Sequence, residues 1–194
     1  MKIHKPGESI QDANLALQML KDGNDRYLDR QLMDRSTYDE DREILAKGQT
    51  PFAVVVTCSD SRVVPEIYFD VHKGSIFVIR NAGNIADTTA LGSLEYAVEV
   101  LGAKLIVVVG HSACGAVEAA CTGDPLPPNI QHIIDHIKPA VEKSGGDVGV
   151  CIDVNVGVMV DKITNNEFVK KNNAMVVGAR FDIHNGNVVW LQEL

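Results

Sequence analysis

The sequence predicts an α/β fold: a mostly parallel central sheet of about four strands plus an antiparallel edge strand, flanked by helices. The first observation is a set of three short apolar runs, at residues 53–56 (AVVV), 76–79 (IFVI) and 105–109 (LIVVV). The second is that helical patterns separate such runs, an alternation typical of a parallel sheet covered on both faces. The third is the pair Asn185-Gly186 between two further apolar segments, because this dipeptide favours a hairpin turn.

The first 48 residues predict a helical arm before a core of residues 49–194, and the length of 194 residues predicts a single domain. One helix is predicted from Ser9 to about Leu32. Its apolar stripe is narrow, so it could cover a partner as easily as its own chain. The stripe consists of Leu17, Leu20, Asn24, Tyr27 and Leu28. A second helix is predicted over Thr37–Lys47, with Gly48 as its C-terminal cap.

Three helices and two strands are predicted in the core after the first two apolar runs. The helices cover about Thr88–Leu101, Ala113–Cys121 and Asn129–Lys143. The two strands of the C-terminal hairpin cover Ala174–Ile183 and Val188–Leu191.

The segment from residue 148 to residue 160 carries two conflicting patterns. Valine or isoleucine stands at every second position from 148 to 160, a strict alternation that indicates a strand. A second set of residues has a spacing that allows a helix: Cys151, Asn155, Val158 and Lys162. Taken alone, the segment resembles a strand, although a helix is allowed.

Composition excludes several classes of protein. Lys and Arg total 18 against 26 Asp and Glu, and no basic stripe is present, which argues against a nucleic-acid partner. No run of about 18 apolar residues could span a membrane. The opening MKIHKPGESIQD is too polar for a signal peptide, so we expect a cytoplasmic protein. In that reducing compartment the four cysteines are expected to be thiols or metal ligands.

Chemically reactive side chains follow two of the predicted strands. The stretch TCSDSR contains Cys58 after the first strand, and GHSACG contains His111 and Cys114 after the third. Ligands gather at the carboxyl ends of parallel strands, so these three side chains can converge if the strands are neighbours. Two thiolates and an imidazole suit zinc and leave a fourth position open for catalysis. Any one of them alone would be interpreted as a core or loop residue.

The motifs CSDSR and HSACG resemble those of the β-class carbonic anhydrases. The likeness runs from about Gln49 to Val117 and includes GQTPFAVVVTCSDSRVVPE, FVIRNAGN and GSLEYAVEVLGAKLIVVVGHSACGAV, which are similar to the plant-like branch. The resemblance implies reversible hydration of carbon dioxide to bicarbonate and a proton, by attack of zinc-bound hydroxide. It also implies that Cys58, His111 and Cys114 hold Zn2+. Two thiolates reduce the positive charge of the metal, so we expect activity to rise with pH through a midpoint above about 7.

Asp60 and Arg62 are the expected catalytic residues. By the resemblance, Asp60 would accept the hydrogen of the zinc-bound oxygen and aim its lone pair at the substrate. Arg62 would hold Asp60 by a charge-assisted bond and keep it ionised. The alternative for the two alone is a structural ion pair. In part of the family this Asp becomes a fourth zinc ligand in an inactive state. That branch has a Trp where this chain has Val55, which disfavours the switch here.

The resemblance also implies a substrate pocket at a subunit interface. Gln49 would donate a hydrogen bond to the substrate from a neighbouring subunit, and the Gly115 N–H would position bicarbonate. Phe77, Ala82 and Tyr96 would line the apolar pocket. A homodimer or a dimer of dimers is therefore expected, with the N-terminal helix wrapping the partner. The family has a helix where this chain has residues 148 to 160, so we predict a helix there.

Other motifs carry no function on this interpretation. His132 and His136 lie four residues apart, but HIIDH lacks the Glu of a zinc-peptidase motif. The segment from Gly110 to Gly115 lacks the Lys of a phosphate-binding loop. The two remaining cysteines, Cys121 and Cys151, are expected to be buried thiols.

Two alternatives to a carbonic anhydrase remain open. The same fold and metal could hydrolyse carbonyl sulfide or carbon disulfide, which the motifs do not distinguish from carbon dioxide. A non-enzymatic zinc-binding or carbon-dioxide-sensing protein is the other, but a closed metal site has no use for a residue such as Asp60 that orients hydroxide.

Overall fold

The structure, a computed structural model, describes residues 2–36 and 41–191 and contains a five-stranded sheet. The strand order is β2-β1-β3-β4-β5, with four parallel strands and β5 antiparallel to β4. The strands are β1 (Ala53–Cys58), β2 (Ile76–Asn81), β3 (Leu105–His111), β4 (Met175–Phe181) and β5 (Val188–Leu191). The predicted fold class, the three parallel strands and the C-terminal hairpin are confirmed.

Eight α-helices surround the sheet in the described ranges. They are α1 (Ala13–Leu28), α2 (Arg42–Leu45), α3 (Pro65–Tyr68), α4 (Thr88–Glu95), α5 (Gly115–Thr122), α6 (Pro128–Ser144), α7 (Val148–Thr164) and α8 (Glu167–Lys171). Two short helical turns of other types join them: a 3-10 turn at Ala82–Asn84 and a π-helical turn at Tyr96–Val100. Within these ranges, none of the helices combines the length and the hydrophobicity that crossing a bilayer requires.

The sheet separates two hydrophobic clusters because successive strand residues point to opposite faces. Val54 and Val56 of β1 pack with residues of α4, α5, α6 and α7 on one face. Ala53 and Val55 pack with α1 and α3 on the other. Every residue of β1 and β3 is buried, which explains why both read in the sequence as continuous apolar runs.

Helix α1 packs on its own chain at close range. A Cβ atom at Gly23 would lie 1.8 Å from the carbonyl oxygen of Phe69, so only glycine allows this approach. The buried Asn24 side chain donates to the carbonyl oxygens of Tyr68 and Gly186, at 2.9 and 3.0 Å, and accepts from the Val188 N–H. Part of the stripe that was expected to wrap a partner is therefore buried within the chain.

Residues 148 to 160 form a helix, as the resemblance implied and against the local alternation. The Asp147 carboxylate caps the first turn of α7 by accepting from the Val150 N–H. The buried residues of α7 recur three or four apart, as on one helix face: Cys151, Ile152, Asn155, Val156, Met159 and Ile163. Because α7 contacts α5, α6 and the sheet, valines are tolerated around most of its surface.

Several predicted boundaries differ from the observed ones. The first helix begins at Ala13 and ends at Leu28, so it is shorter than the predicted Ser9–Leu32. Of the predicted helix Thr37–Lys47, residues 37–40 lie outside the described ranges, and only Arg42–Leu45 is helical in the remainder. The predicted helix Thr88–Leu101 changes after Glu95 into the π-helical turn, which a periodicity of 3.6 residues cannot indicate.

Candidate metal centre

The carboxyl ends of β1 and β3 bring the three expected metal ligands together. The two strands are adjacent and parallel, with Thr57 opposite Val109, so Cys58 and His111 leave the sheet at the same edge. The ligand atoms of Cys58, His111 and Cys114 all lie within 4.8 Å of one another. All three residues are buried.

Cys114 reaches this point through an unusual turn. Ala113 has φ +55°, in the left-handed region that costs an alanine of order 1 kcal/mol or more. The turn is short enough to return Cys114 toward His111, and Cys114 then precedes the first residue of α5. Strain at this position is offset by the surrounding structure, as is common at functional sites.

His111 is oriented for metal binding. Its Nδ1 lies 2.9 Å from the Ser112 carbonyl oxygen, which can only accept, so Nδ1 carries the proton and donates. Nε2 is then the atom with a free lone pair. It is buried and has no hydrogen-bond partner among the described residues. Ser112 is itself held, because its N–H donates to the Phe181 carbonyl and its hydroxyl accepts from the Ile183 N–H.

The two sulfur atoms lie close enough for Cys114 to donate a hydrogen bond to Cys58. The hydrogen bond from Cys114 lowers the pKa of Cys58 to about 4. The same interaction, together with burial, raises the pKa of Cys114. Burial lowers the pKa of His111, but the nearby sulfur and negative charge of Cys58 outweigh burial, so the His111 pKa is raised. A divalent cation would remove this competition by binding both sulfurs as thiolates.

A backbone amide also points at the sulfur of Cys58. The N–H of Gly83 donates to Cys58 Sγ at 3.4 Å. Gly83 has φ +72°, and a Cβ there would lie 2.7 Å from Ile137 Cδ1. Glycine therefore permits both the backbone conformation and the close packing that bring this N–H to the thiol.

The Asp60 carboxylate is fixed by Arg62 beside these ligands. Arg62 Nε donates to Asp60 Oδ1 at 2.9 Å and Nη2 donates to Oδ2 at 2.7 Å, a bidentate pair. Hydrogen bonding from Arg62 holds the pKa of Asp60 well below its usual range. Arg62 Nη2 also donates to the carbonyl oxygen of Ala113, which ties the pair to the turn before Cys114.

Arg80 is a site residue that the sequence interpretation missed. Its Nε donates to the Cys58 carbonyl oxygen at 3.1 Å, and its Nη2 donates to the Asp60 carbonyl oxygen at 2.7 Å. Arg80 thus fixes the backbone of the turn that carries both side chains. Arg80 lies within the motif FVIRNAGN, but its contacts with the turn after β1 could not be deduced from the spacing of residues in the sequence.

The residues expected to bind the substrate lie on several different elements. Phe77 and Tyr96 lie near each other, with ring centroids 6.4 Å apart, and Tyr96 is 48% exposed. Ala82 begins the 3-10 turn, and Gly115 begins α5 directly after Cys114. Gln49 is exposed in the segment before β1. Ala82 thus precedes Gly83 and Gly115 follows Cys114, whereas the substrate roles of all five residues stay predictions.

The remaining histidines and cysteines lie apart from this group. His132 and His136 contact each other edge to face on α6, with centroids 5.0 Å apart. Cys151 is fully buried, as expected, whereas Cys121 is only half-buried. Among the described residues, a cluster of three or more ligand-type side chains occurs only at Cys58, His111 and Cys114.

The donor set fits zinc. Two sulfurs and one imidazole nitrogen are ligands that zinc prefers, and an unpartnered buried Nε2 is a group that binding would satisfy. Three protein ligands leave one tetrahedral position, as in catalytic zinc sites. Both Asp60 oxygens accept from Arg62, so the arginine fixes the orientation of this carboxylate.

Comparisons with known proteins point to one family. The model of the family described as carbonic anhydrase matches residues 53–188. Carbonic anhydrase 2 of Mycobacterium tuberculosis is 43% identical over 130 residues, which cover 65% of this chain and 63% of that protein. The chain therefore spans less than two thirds of the length of the first curated relatives it matches.

Solved structures show the same fold. A tetrameric β-carbonic anhydrase of Sordaria macrospora superposes with a TM-score of 0.73 at 25% identity, covering 91% of this chain and 97% of that one. The Coccomyxa β-carbonic anhydrase, solved in complex with acetazolamide, gives a TM-score of 0.72 at 26% identity, covering 94% and 87% of the two chains. Since the family model covers well over half of the sequence, the chain belongs to the carbonic anhydrase family, and its fold is that of the β class.

Proposed function

We propose that the protein is a zinc-dependent carbonic anhydrase, which interconverts carbon dioxide and bicarbonate. The observation that carries the proposal is the convergence of Cys58, His111 and Cys114 within 4.8 Å, beside an Asp60 carboxylate held by Arg62. Family membership supports the activity.

Cys58 Sγ, Cys114 Sγ and His111 Nε2 would hold the zinc ion. When bound there, zinc would act as a Lewis acid and lower the pKa of water toward neutrality. The two cysteines would bind as thiolates, while the Ser112 carbonyl keeps the proton of His111 on Nδ1.

Asp60 would orient the nucleophile. Because Arg62 keeps its carboxylate ionised, Asp60 can accept a hydrogen bond from the attacking water but cannot donate one. The lone pair of that water would then face the substrate, which is a positioning effect rather than a change in acidity. Asp60 and Arg62 are thus the proposed catalytic pair.

Substrate would bind in an apolar pocket formed by Phe77, Ala82 and Tyr96. Gly115, exposed at the start of α5, would offer its N–H to bicarbonate. Gln49 is exposed and would act from a neighbouring subunit, so the proposal includes a homodimer or a dimer of dimers. The Sordaria macrospora relative is described as tetrameric, which supports this assembly.

The open arrangement at Asp60 supports assignment to the plant-like branch. Its carboxylate pairs with Arg62, and Val55, three residues before Cys58, is fully buried in the sheet. We therefore propose that bicarbonate does not switch this protein off by moving Asp60 onto the metal.

Stopped-flow measurement of carbon dioxide hydration on zinc-loaded protein tests the proposal, with metal content measured on the same sample. Rapid hydration by the native protein, abolished in Cys58→Ser, is the expected result. Carbonyl sulfide and carbon disulfide are assayed in parallel. A zinc-loaded protein that releases sulfide but does not hydrate carbon dioxide would replace the proposed activity with the hydrolase alternative.

A further inference from the structure

One buried side chain of α7 supports the metal centre from outside. Asn155 is fully buried, and its Nδ2 donates to the Gly83 carbonyl oxygen at 3.0 Å. The N–H of Gly83 donates in turn to Cys58 Sγ. Two hydrogen bonds therefore connect Asn155 with Cys58, a proposed metal ligand. Asn155 lies 72 residues after Gly83, the residue that links them.

The turn that Asn155 holds is strained and depends on such support. Gly83 and Asn84 both have positive φ, at +72° and +46°. Left-handed residues in succession are costly when one of them is not glycine. The Asn81 side chain fastens the end of the turn by donating to the Ile85 carbonyl oxygen at 2.7 Å. Asn155 fastens the peptide next to the N–H that contacts sulfur.

A second contact shows that α7 is the scaffold of this segment. Met159, one turn after Asn155, accepts from the Ala86 N–H through its sulfur atom at 3.2 Å. Asn155 and Met159 share one face of the helix because they are four residues apart. That face thus holds the segment after β2 at two points, of which only the contact of Asn155 leads to Cys58.

We infer that Asn155 is a positioning residue for the metal centre, which fixes the Gly83 N–H against the Cys58 thiolate. This inference rests on the proposed function for its ligand, since it concerns a bound metal ion. A hydrogen bond to a metal thiolate withdraws electron density from sulfur and fixes its orientation. Losing it would weaken retention of the metal and change the electronic structure of the sulfur–metal bond.

The test uses the cobalt-substituted and the zinc-loaded forms of Asn155→Leu. Leucine keeps a similar volume and removes the donor. In the cobalt form, we expect the thiolate-to-cobalt charge-transfer band to move to longer wavelength. The reason is that the Gly83 N–H would no longer be held against Cys58 Sγ, so the sulfur lone pairs would be less stabilised. In the zinc form, release to a chelator should become faster by about 10- to 100-fold, the usual effect of losing an outer partner of a metal ligand.

Two further variants keep the test decisive. Gly83→Ala perturbs the same turn from its other side, since the new Cβ would meet Ile137, and it should shift the band in the same direction. Ile163→Ala, at a fully buried position two turns beyond Asn155 on α7, controls for lost stability and should leave the band unchanged. If Asn155→Leu does not fold, the test uses Asn155→Ala, which removes the same donor and has a smaller side chain.

Either of two results would overturn the inference. One is an Asn155 variant with the native band and the native rate of zinc release. The other is an equal band shift in Ile163→Ala, which would reduce the effect to general loosening of the helix. Neither measurement depends on catalysis. A native protein that binds cobalt but does not hydrate carbon dioxide would refute the proposed function and leave the spectra to decide the role of Asn155.

Discussion

Two pairs of cysteines lie in or against the same hydrophobic cluster, and the groups around their sulfur atoms differ. In the first pair, the hydrogen bond between the two thiols lowers the pKa of Cys58 to about 4 and raises that of Cys114. In the second, burial and the neighbouring Cys151 raise the pKa of Cys121 to about 11. The first pair has an imidazole and a backbone N–H directed at its sulfurs, whereas the second lies between helices without a histidine in the group. Proximity of two thiols is thus insufficient for a metal site, and the groups around them decide it.

The largest effect is expected on metal content. Cys58→Ser should lose nearly all bound zinc, because an alcohol is a far weaker zinc ligand than a thiolate. The matched substitution Cys121→Ser, at the half-buried member of the second pair, should retain one zinc ion per chain. Elemental analysis of both purified variants measures this. Equal zinc content in the two would abolish the distinction between the pairs.

Asp60→Asn should separate the metal from the reaction. The amide keeps the shape of the carboxylate but can donate a hydrogen, so it would no longer select the orientation of the attacking water. We expect hydration to fall by about 100-fold with zinc content unchanged. Steady-state hydration assays normalised to zinc measure the change. Loss of zinc in this variant would instead make Asp60 part of the metal site itself.

Arg62→Lys should have a smaller effect than Asp60→Asn. Lysine keeps the positive charge but cannot make the bidentate contact, so Asp60 would stay ionised and become less well oriented. Hydration is expected to fall by about 10-fold. A native rate in this variant would show that charge alone, without geometry, is what Arg62 contributes.

The pH dependence should follow the metal centre and not Asp60. The Asp60 pKa lies well below its usual range, so this carboxylate is ionised throughout the range from pH 5 to 9. Two thiolates make zinc a weaker Lewis acid, so activity should rise with pH through a midpoint above about 7. Hydration rates across this range check both points. A change in hydration rate near the ordinary pKa of aspartate would contradict the lowering of the Asp60 pKa by Arg62.

The smallest effect is expected in the reactivity of the second cysteine pair. With a pKa of about 11, only about one Cys121 in a thousand is a thiolate at pH 8, so alkylation should be slow. Mass spectrometry of timed iodoacetamide reactions measures the rate, which should increase as the pH is raised. Rapid labelling of Cys121 at pH 8 would contradict the raised pKa.

Sequence was sufficient for those features that depend on local pattern or on the order of strands. The apolar runs predicted β1, β2 and β3, and their parallel arrangement predicted that Cys58 and His111 leave the same edge. The helix α7 needed the resemblance, because its valines alternate as in a strand while its burial repeats as in a helix. Family likeness thus supplied what periodicity could not.

Long-range hydrogen bonds were beyond prediction. Arg80 and Asn155 contact the segments around Cys58 from 22 and 72 residues away from their partners, and neither spacing forms a recognisable motif. The left-handed conformation of Ala113 could not be predicted from the sequence either, because alanine rarely adopts it. These residues set the shape of the site, and their identities become meaningful only once the fold is known.

The buried carboxamide of Asn24 has a consequence for folding during synthesis. Its partners include Gly186 and Val188, 162 and 164 residues later in the chain. Helix α1 emerges early from the ribosome, but its docking site is incomplete until the last strand, β5, has been made. The face of the sheet that carries Ala53 and Val55 therefore lacks part of its packing until β5 has been synthesised, which leaves apolar surface of the nascent chain exposed to aggregation for longer.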